Sequence, residues 1–431
     1  MILLRAFATI SELINYLFGT HLKLPIFSFG FFVAMAFLVA AYVLTRELQR
    51  KEKLGLLKPQ KVKITVGEPP KTMDIAWNVI LGFILGYKLG AVVLDYNTFV
   101  DNPQAFMFSG SGNIIGGIIG AGLLGYLKYY EQKKQQLPKP EQKIVDVYPH
   151  QRVGDITIIA AVSGILGAKI FSNFEEPGGW EQFIKDPMGN FFSGLTIYGG
   201  LILGAASVIY YAVRKKINVL HLGDAIAPAI ILAYGIGRIG CQTAGDGDWG
   251  IYNSAYISNP DGSIKVAAAG EFDSVLDSHK NYFLYEFENI GQVPSKSFKA
   301  PGFLPRWTVA QNYAHNVNED GIPIEGCEGE WCAMLPIAVF PTPMYETIMA
   351  VAIFLLLMFL RSRWTTPGLI LAFYVVMTGV ERFFIEKIRV NNVMEFMGIR
   401  ATQAEFISVA FIFFGLAFMW VLYYRNKKAT V

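Results

Sequence analysis

One glycine-rich segment places an arginine at the edge of an apolar run. Residues 235–250 read GIGRIGCQTAGDGDWG, and Arg238 lies at the end of the apolar stretch 222–239. A guanidinium group offers a planar fork of donors that suits a phosphate, and glycines let the backbone approach a ligand closely. The segment therefore predicts a phosphate site with Arg238 as a donor. The alternative is that Arg238 reaches toward lipid headgroups while the glycines end a helix.

A second segment, 381–389, reads ERFFIEKIR. Helical spacing puts Arg382, Glu386 and Arg389 on one stripe of a helix. On that stripe Glu386 would orient Arg382 through an ion pair. The alternative is an interfacial ion pair with a purely structural role.

Glu346 and Tyr198 are ambiguous when each is taken alone. Glu346 follows the residues PTPMY, which predict a helix start, and the helix dipole favours a carboxylate in a first turn. A charge at membrane depth is costly, however, and marks a functional candidate. Tyr198 begins an apolar stretch, a position typical of tyrosines in the interfacial aromatic belt.

The composition indicates which elements must position these residues. The 431 residues are 53% hydrophobic and only 16% charged, with 33 Phe and 42 Gly, and the mean hydropathy is +0.37. Low charge with abundant Phe and Gly is typical of chains that lie in lipid. The three cysteines, Cys241, Cys327 and Cys332, are too few for a disulfide framework. The sequence therefore predicts an all-α, polytopic membrane protein.

Apolar runs of about 17–25 residues can cross a bilayer as helices. We predict about nine: 27–45, 75–95, 114–130, 156–172, 195–213, 222–239, 343–360, 367–386 and 404–424. Lys and Arg concentrate in alternate loops, among them 46–72 and 128–153. Because basic loops face the cytoplasm, we expect the N-terminus outside and the C-terminus inside.

This orientation predicts an extracytoplasmic loop domain over 240–340. Cys327 and Cys332 lie within it and either form a disulfide or remain as two thiols. The same orientation brings Tyr198, Arg238, Glu346 and Arg382 to the outer half of the membrane.

An internal repeat links two predicted helical hairpins. Asp74-Ile75 and Asp155-Ile156 are 81 residues apart, and the LGYK motif at 85–88 matches LGAK at 166–169. Each copy is a two-helix hairpin, so the repeat is parallel. In this register Tyr198 corresponds to Ile115. Repeat-built transporters usually carry inverted repeats, so the pattern favours an enzyme over a transporter.

Four motifs together resemble the prolipoprotein diacylglyceryl transferase family. They are GLTIYGGL at 194–201, GRIG at 237–240, Tyr345-Glu346 and RFFIEKIR at 382–389, and DAIAP at 224–228 precedes the second. The resemblance covers about 27–60 and 155–425. It divides the chain into 1–72 (an interfacial segment, the first helix and a basic loop), 73–134 (an added duplicate hairpin), 135–250 (core helices), 251–340 (an extracytoplasmic insert) and 341–431 (three helices).

The resemblance implies an enzyme of the bacterial inner membrane. Such an enzyme moves the diacylglyceryl group of phosphatidylglycerol to the lipobox cysteine thiol of a prolipoprotein signal peptide, and releases glycerol phosphate. The five histidines are scattered along the sequence, so we expect no metal site. We expect no cofactor and no nucleic-acid partner either, and the expected partners are phosphatidylglycerol, prolipoprotein signal peptides and membrane lipids. The catalytic positions would be Tyr198, Arg238, Asp246, Glu346 and Arg382. Arg238 and Arg382 would bind phosphatidylglycerol together with Gly199, Gly200 and Cys241, supported by Glu386 and Arg389.

Four positions depart from the family pattern. Cys241 replaces an asparagine, Asp246 a glutamate, and Thr378 and Phe29 replace tyrosines. The phosphate-binding arginines are intact, but the acid–base partners are altered. A non-catalytic, lipid-binding relative is therefore the alternative function, and whether a carboxylate acts as base or only arranges the arginines stays open.

Overall fold

The protein is described by a computed structural model covering residues 5–101, 103–191, 194–390, 393–396 and 399–429. The chain forms two compact units. The larger unit comprises Met1–Leu22, Ile26–Lys51 and Asn218–Val431, and the smaller unit comprises Lys23–Pro25 and Glu52–Ile217. The boundary after Ile217 falls inside the predicted segment 135–250.

Helices make up most of both units. They are α1 (Ile10–Phe18), α2 (Ser28–Lys53), α3 (Thr72–Leu94), α4 (Tyr96–Asp101), α5 (Pro103–Phe108), α6 (Ile114–Gln135), α7 (Val153–Glu175), α8 (Gly179–Lys185), α9 (Pro187–Asn190), α10 (Ile197–Arg214), α11 (Val219–Ala244), α12 (Glu271–Ser278), α13 (Lys280–Phe287), α14 (Thr342–Leu360), α15 (Leu369–Glu386) and α16 (Gln403–Ala429). The strands are β1 (Gln60–Val66), β2 (Glu141–Val147), β3 (Tyr252–Ser258), β4 (Ile264–Val266), β5 (Ile322–Pro323), β6 (Ala333–Met334), β7 (Ile337–Val339), β8 (Val393–Phe396) and β9 (Ile399–Thr402).

Seven helices among the described residues are long and apolar enough to cross a membrane: Ser28–Lys53, Thr72–Leu94, Pro149–Glu175, Ile197–Arg214, Val219–Ala244, Thr342–Leu360 and Gln403–Lys427. The prediction of a mostly helical, multi-pass membrane protein is confirmed. The other two predicted spans also form helices, α6 and α15, but these fall outside that set. In α15, three of the 18 residues are Glu381, Arg382 and Glu386. The count of nine stays a prediction.

The smaller unit contains the two predicted hairpins. Helix α3 packs on α6, and α7 packs on α10. A Cβ on Gly86 would lie 2.2 Å from the Gly116 carbonyl oxygen, and one on Gly167 would lie 2.4 Å from that of Gly199. These two pairs are equivalent in the repeat register. Both hairpins therefore close through the same backbone contact, which only glycine permits.

A two-stranded sheet forms in the smaller unit from parts of the two basic segments 46–72 and 128–153, which were predicted to be loops. Strands β1 and β2 are antiparallel, with Gln60 opposite Val147 and Lys61 opposite Asp146. Both strands are rich in Val and Ile, and such β-branched residues favour extended structure.

Helix ends in the larger unit are held by side chains. The Asn218 side chain accepts hydrogen bonds from the amides of Leu220 and His221, both at 3.1 Å, and so begins α11. Asp224 on α11 accepts from the Gly368 amide at 2.9 Å and the Leu371 amide at 3.1 Å, at the start of α15. Helices α11 and α15 are therefore joined at the end opposite to Arg238 and Arg382.

Residues 251–340, called the 251–340 region below, form a folded part of the larger unit. Strand β3 pairs with β4 on one side and β7 on the other. Their apolar faces pack with α12 and α13 around Tyr252, Phe283 and Ile337, all buried. Cys327 and Cys332 form a disulfide, which decides between the two alternatives left open by the sequence.

The orientation in the membrane stays a prediction and can be tested with reporters. A reporter inserted near Gly262 should behave as external, and one inserted near Lys139 as cytoplasmic, because the basic loops are expected inside. Accessibility to an impermeant thiol reagent at a cysteine introduced at each site measures the same property. Labelling at position 139 but not at position 262 in intact cells would show that the orientation is the opposite of the predicted one.

Candidate functional site

Glu346 is the centre of a cluster of charged residues in the larger unit. It is the fifth residue of α14, just past the first turn in which the sequence had placed it, and it has no exposed surface. Its carboxylate lies 3.1 Å from Arg238 Nε, 3.6 Å from Arg382 Nη1 and 3.7 Å from Arg389 Nη1. Three guanidinium groups from α11, the end of α15 and the residues just after it therefore meet at one carboxylate. Arg238, Arg382 and Glu346 come together as the topology predicted.

Asp248 is the second carboxylate of this cluster. It forms ion pairs with both Arg238 and Arg389. Its backbone carbonyl accepts a hydrogen bond of 2.8 Å from Thr342 Oγ1, at the start of α14. Although burial acts to raise the pKa of Asp248, the guanidinium groups of Arg389 and Arg238 hold it below its ordinary value. Below, Arg238, Arg382, Arg389, Glu346 and Asp248 are called the arginine cluster.

The glycine-rich turn after α11 places Asp248. Helix α11 ends at Gly245, whose φ of 66° is in the left-handed region that favours glycine. At Gly250 a Cβ would lie 2.6 Å from the Ile388 carbonyl oxygen, and the next amide, Ile251, donates to that same oxygen at 2.9 Å. The turn is thus bonded directly to the residue before Arg389.

Arg382 is the most exposed arginine of the cluster. Its side chain is 30% exposed, against 10% for Arg238 and 13% for Arg389. The predicted ion pair with Glu386 is present, with Nη2 and Oε2 3.1 Å apart at i,i+4 spacing on α15. A ligand arriving from outside the cluster can therefore reach Arg382 with the least displacement of protein groups.

Two residues next to the cluster were not predicted as site residues. Tyr234, one turn before Arg238 on α11, donates its hydroxyl to Glu346 at 2.9 Å and lies 3.4 Å from a Glu381 oxygen. The Arg238 guanidinium lies 5.2 Å from the Tyr234 ring centroid. Glu381 is only 5% exposed. Its charge within an apolar helix was a signal in the sequence that could have identified it. For Tyr234 the only such signal was its position four residues before Arg238.

Cys241 and Asp246 lie beside the cluster. Cys241 is a free, buried thiol, 3.7 Å from Arg238 Nη1. Burial raises the pKa of Asp246. The ligand atoms of Cys241, Asp246 and Asp248 lie within 4.8 Å of one another, a grouping that sequence spacing did not reveal. A cation there would lie beside the two guanidinium groups that already neutralise Asp248, so the electrostatics oppose a metal.

Tyr198, Gly199 and Gly200 belong to the smaller unit, in the first turn of α10. Tyr198 is half-buried. A Cβ on Gly199 would lie 2.4 Å from the Gly167 carbonyl, and one on Gly200 3.1 Å from that of Gly164. Both glycines thus have a packing role against α7, and their predicted role in substrate binding stays a prediction.

Thr378 takes one of the positions that depart from the family pattern. Its hydroxyl donates to the Tyr374 carbonyl at 3.0 Å within α15, as threonines within helices commonly do. The Thr378 hydroxyl is therefore hydrogen-bonded within its own helix.

The fold and this site define a multi-pass membrane protein with buried guanidinium groups suited to an anionic ligand. The family model for prolipoprotein diacylglyceryl transferase matches residues 140–421, and the chain belongs to that family. The first hairpin lies outside the matched residues, whereas every predicted site residue lies inside them.

Curated relatives agree with this assignment. The chain is 24% identical over 286 residues, covering 66% of this chain and 84% of the relative, to phosphatidylglycerol–prolipoprotein diacylglyceryl transferase 2 of Clostridium perfringens. It is 27% identical over 292 residues, 67% of this chain and 83% of the relative, to the phosphatidylglycerol–prolipoprotein diacylglyceryl transferase of Streptococcus pneumoniae.

The ion pairs of Asp248 lead to a stability prediction. Asp248→Asn should lower the free energy of unfolding by about 1–3 kcal/mol, because the largely buried guanidinium groups of Arg238 and Arg389 each lose one of their two carboxylate partners. Thermal denaturation of the full chain in detergent measures the change. Asp246→Asn is the matched control, since Asp246 makes no ion pair among the described residues, and it should shift the midpoint less. An equal or larger shift in the control would contradict the assignment.

Proposed function

We propose that the protein transfers the diacylglyceryl group of phosphatidylglycerol to the lipobox cysteine thiol of prolipoproteins. A thioether forms as the cysteine sulfur bonds to the glyceryl carbon, and the bond from that carbon to the phosphate oxygen breaks. Glycerol phosphate leaves with the electron pair, and the thiol proton passes to a base. The arginine cluster, within the residues matched by the family model, is the observation that supports this proposal most directly.

The cluster suits this reaction because of where negative charge develops. The phosphate gains charge as the carbon–oxygen bond breaks, and preoriented guanidinium groups in a water-poor site stabilise that charge. Arg382 is the exposed donor, and Arg238 is held in place by Asp248 and Glu346. We assign Arg238 and Arg382 to phosphate binding, with Arg389 as a support that aligns the same carboxylates.

Glu346 is best described as a positioning residue. It has no exposed surface and acts through the arginines and Tyr234, which contact it. Its negative charge compensates guanidinium groups that would be costly to bury alone. Tyr198, at the family's histidine-or-tyrosine position, is proposed to assist thiol deprotonation or to bind the lipid, and Asp246 remains a candidate for proton transfer.

Both substrates are held by a membrane, which sets the proposed location. We place the protein in the bacterial inner membrane with the N-terminus outside and the C-terminus cytoplasmic, so that the site serves the outer leaflet. The partners are then phosphatidylglycerol and the signal peptide of a prolipoprotein.

Removing either phosphate-binding arginine should greatly reduce transfer. Arg238→Ala and Arg382→Ala should each lose roughly 10²–10³ in rate, about 3–4 kcal/mol, because a preoriented donor is lost. Lysine variants should fall between wild type and alanine, since lysine supplies charge without the fork. The double alanine variant should lose less than the sum of the two single losses, because both arginines act on one phosphate. The assay uses phosphatidylglycerol and a lipobox peptide.

Arg363→Ala is the matched control for these variants. Arg363 is exposed just after α14, where it lies over the Phe359 ring, and its loss should leave turnover within about twofold of wild type. Near-wild-type turnover in a folded, membrane-inserted Arg238→Ala variant would reject the phosphate assignment. It would then favour the non-catalytic, lipid-binding relative, as would failure of the wild-type chain to complement a strain depleted of its own transferase.

The repeat register leads to a second prediction about activity. Tyr198→Phe should reduce transfer well beyond any change in expression, because the hydroxyl is lost without a change in shape. Ile115→Ala, at the equivalent position of the first hairpin, should leave transfer largely intact. Rates per amount of inserted protein give the comparison, and equal losses at both positions would contradict the register.

A further inference from the structure

A basic cavity lies in the smaller unit and has no part in the proposed transfer. Its volume is about 330 Å³. Its basic lining residues come from β1 and the segment just before it, from the N-cap of α7 and from the turn after α10: Lys58, Lys61, Arg152, Lys215 and Lys216. The remaining lining residues include Gln60 and no acidic residue. Five positive charges thus face a space large enough for a small ligand.

None of these five cations forms an ion pair with a carboxylate within the described residues. No carboxylate oxygen there lies within 4.0 Å of any of them, whereas the nearby Lys143 lies 3.6 Å from Glu141. Asp146 is opposite Lys61 in the sheet, but the two side chains form no ion pair among those residues. The positive charge of the cavity is therefore available to a ligand.

The turn that carries Lys215 and Lys216 is held rigidly. The Ile217 amide donates to the Ala212 carbonyl at 2.8 Å, and the Lys216 amide donates to the Val213 carbonyl at 3.0 Å. This is the Schellman arrangement at a helix C-terminus, with Lys216 in the left-handed region at φ 53°. Ile217 is buried beside it at 6% exposure, so the two lysines are presented on a fixed turn.

Hydrogen bonding also orients the opposite wall. Arg152 donates from Nη2 to the Gln60 side-chain oxygen at 3.1 Å. This hydrogen bond connects the N-cap of α7 with the first residue of β1. It involves only Nη2 of the Arg152 guanidinium group. A preoriented guanidinium beside several ammonium groups is the usual chemistry for binding a phosphate.

We propose that this cavity binds a phosphate group carried by an anionic ligand. On the predicted orientation the cavity faces the cytoplasm, where such a group can belong to an anionic lipid headgroup or to a soluble phosphate compound. The binding is distinct from diacylglyceryl transfer, because none of the lining residues is one to which the proposed transfer assigns a role.

The test measures ligand binding by the full chain purified in detergent. Inorganic pyrophosphate is the soluble probe, titrated by calorimetry. Phosphatidic acid, compared with phosphatidylcholine, is the lipid probe, with retained molecules counted by native mass spectrometry. The Lys61→Gln/Lys215→Gln variant removes two charges from the cavity. The Lys133→Gln/Lys134→Gln variant is the matched control, because it removes two charges from the end of α6, outside the cavity.

The cavity variant should bind at least about tenfold more weakly than wild type, and the control should stay within about twofold. If the cavity variant binds only pyrophosphate more weakly, the ligand is a soluble phosphate compound. If it binds only phosphatidic acid more weakly, the ligand is a lipid headgroup. The proposal is overturned if wild type binds neither probe, if the cavity variant binds as wild type does, or if both variants weaken equally. Thermal denaturation verifies that both variants are folded. The same binding measurement on a chain that carries Arg238→Ala should give the wild-type affinity. The test of this cavity is therefore independent of whether the proposed transfer is correct.

Discussion

Charge compensation around Glu346 is the constraint on which the site depends. Arginine stays charged in proteins, and a buried charge without a partner is strongly destabilising. Arg238 is only 8% exposed, so its place at the end of an apolar helix requires a carboxylate nearby. Glu346 and Asp248 supply that charge. They orient the guanidinium groups without a ligand, which lowers the ordering needed when a phosphate arrives.

The constraint explains why three distant parts of the chain must meet. The end of α11, the start of α14 and the end of α15 each contribute one part of the arginine cluster. The two ends of the 251–340 region lie next to each other, since the Gly250 amide donates to the Phe340 carbonyl at 2.8 Å. A long segment between Gly250 and Phe340 therefore leaves α11 and α14 side by side. The 251–340 region can therefore be enlarged without changing the distance from Arg238 to Glu346.

Much of this arrangement could be predicted from the sequence, because helical spacing and charge cost are local properties. These properties apply within helices, where four of the predicted residues lie, and the fold brings them together: Arg238, Glu346, Arg382 and Glu386. Asp248 was missed because it lies in a turn, where a shift of two residues separates it from Asp246 and no periodicity distinguishes them. The pairing of β1 with β2 was missed for a related reason, since 75 residues separate Val66 from Glu141. Glu381 lies in the sequence motif ERFFIEKIR, but only the fold reveals that it faces Tyr234.

The glycine contacts of the two hairpins bear on how the chain acquired its length. A hairpin that closes through Gly86 and Gly116, or through Gly167 and Gly199, carries its packing interface within itself. Such an element can be copied in a gene as one piece, because its stability as a helix pair requires no matching change elsewhere. The copy is then free to drift at positions outside the contact, as the pair Ile115 and Tyr198 illustrates. Tandem duplication followed by divergence of the exposed face is the history that this packing permits.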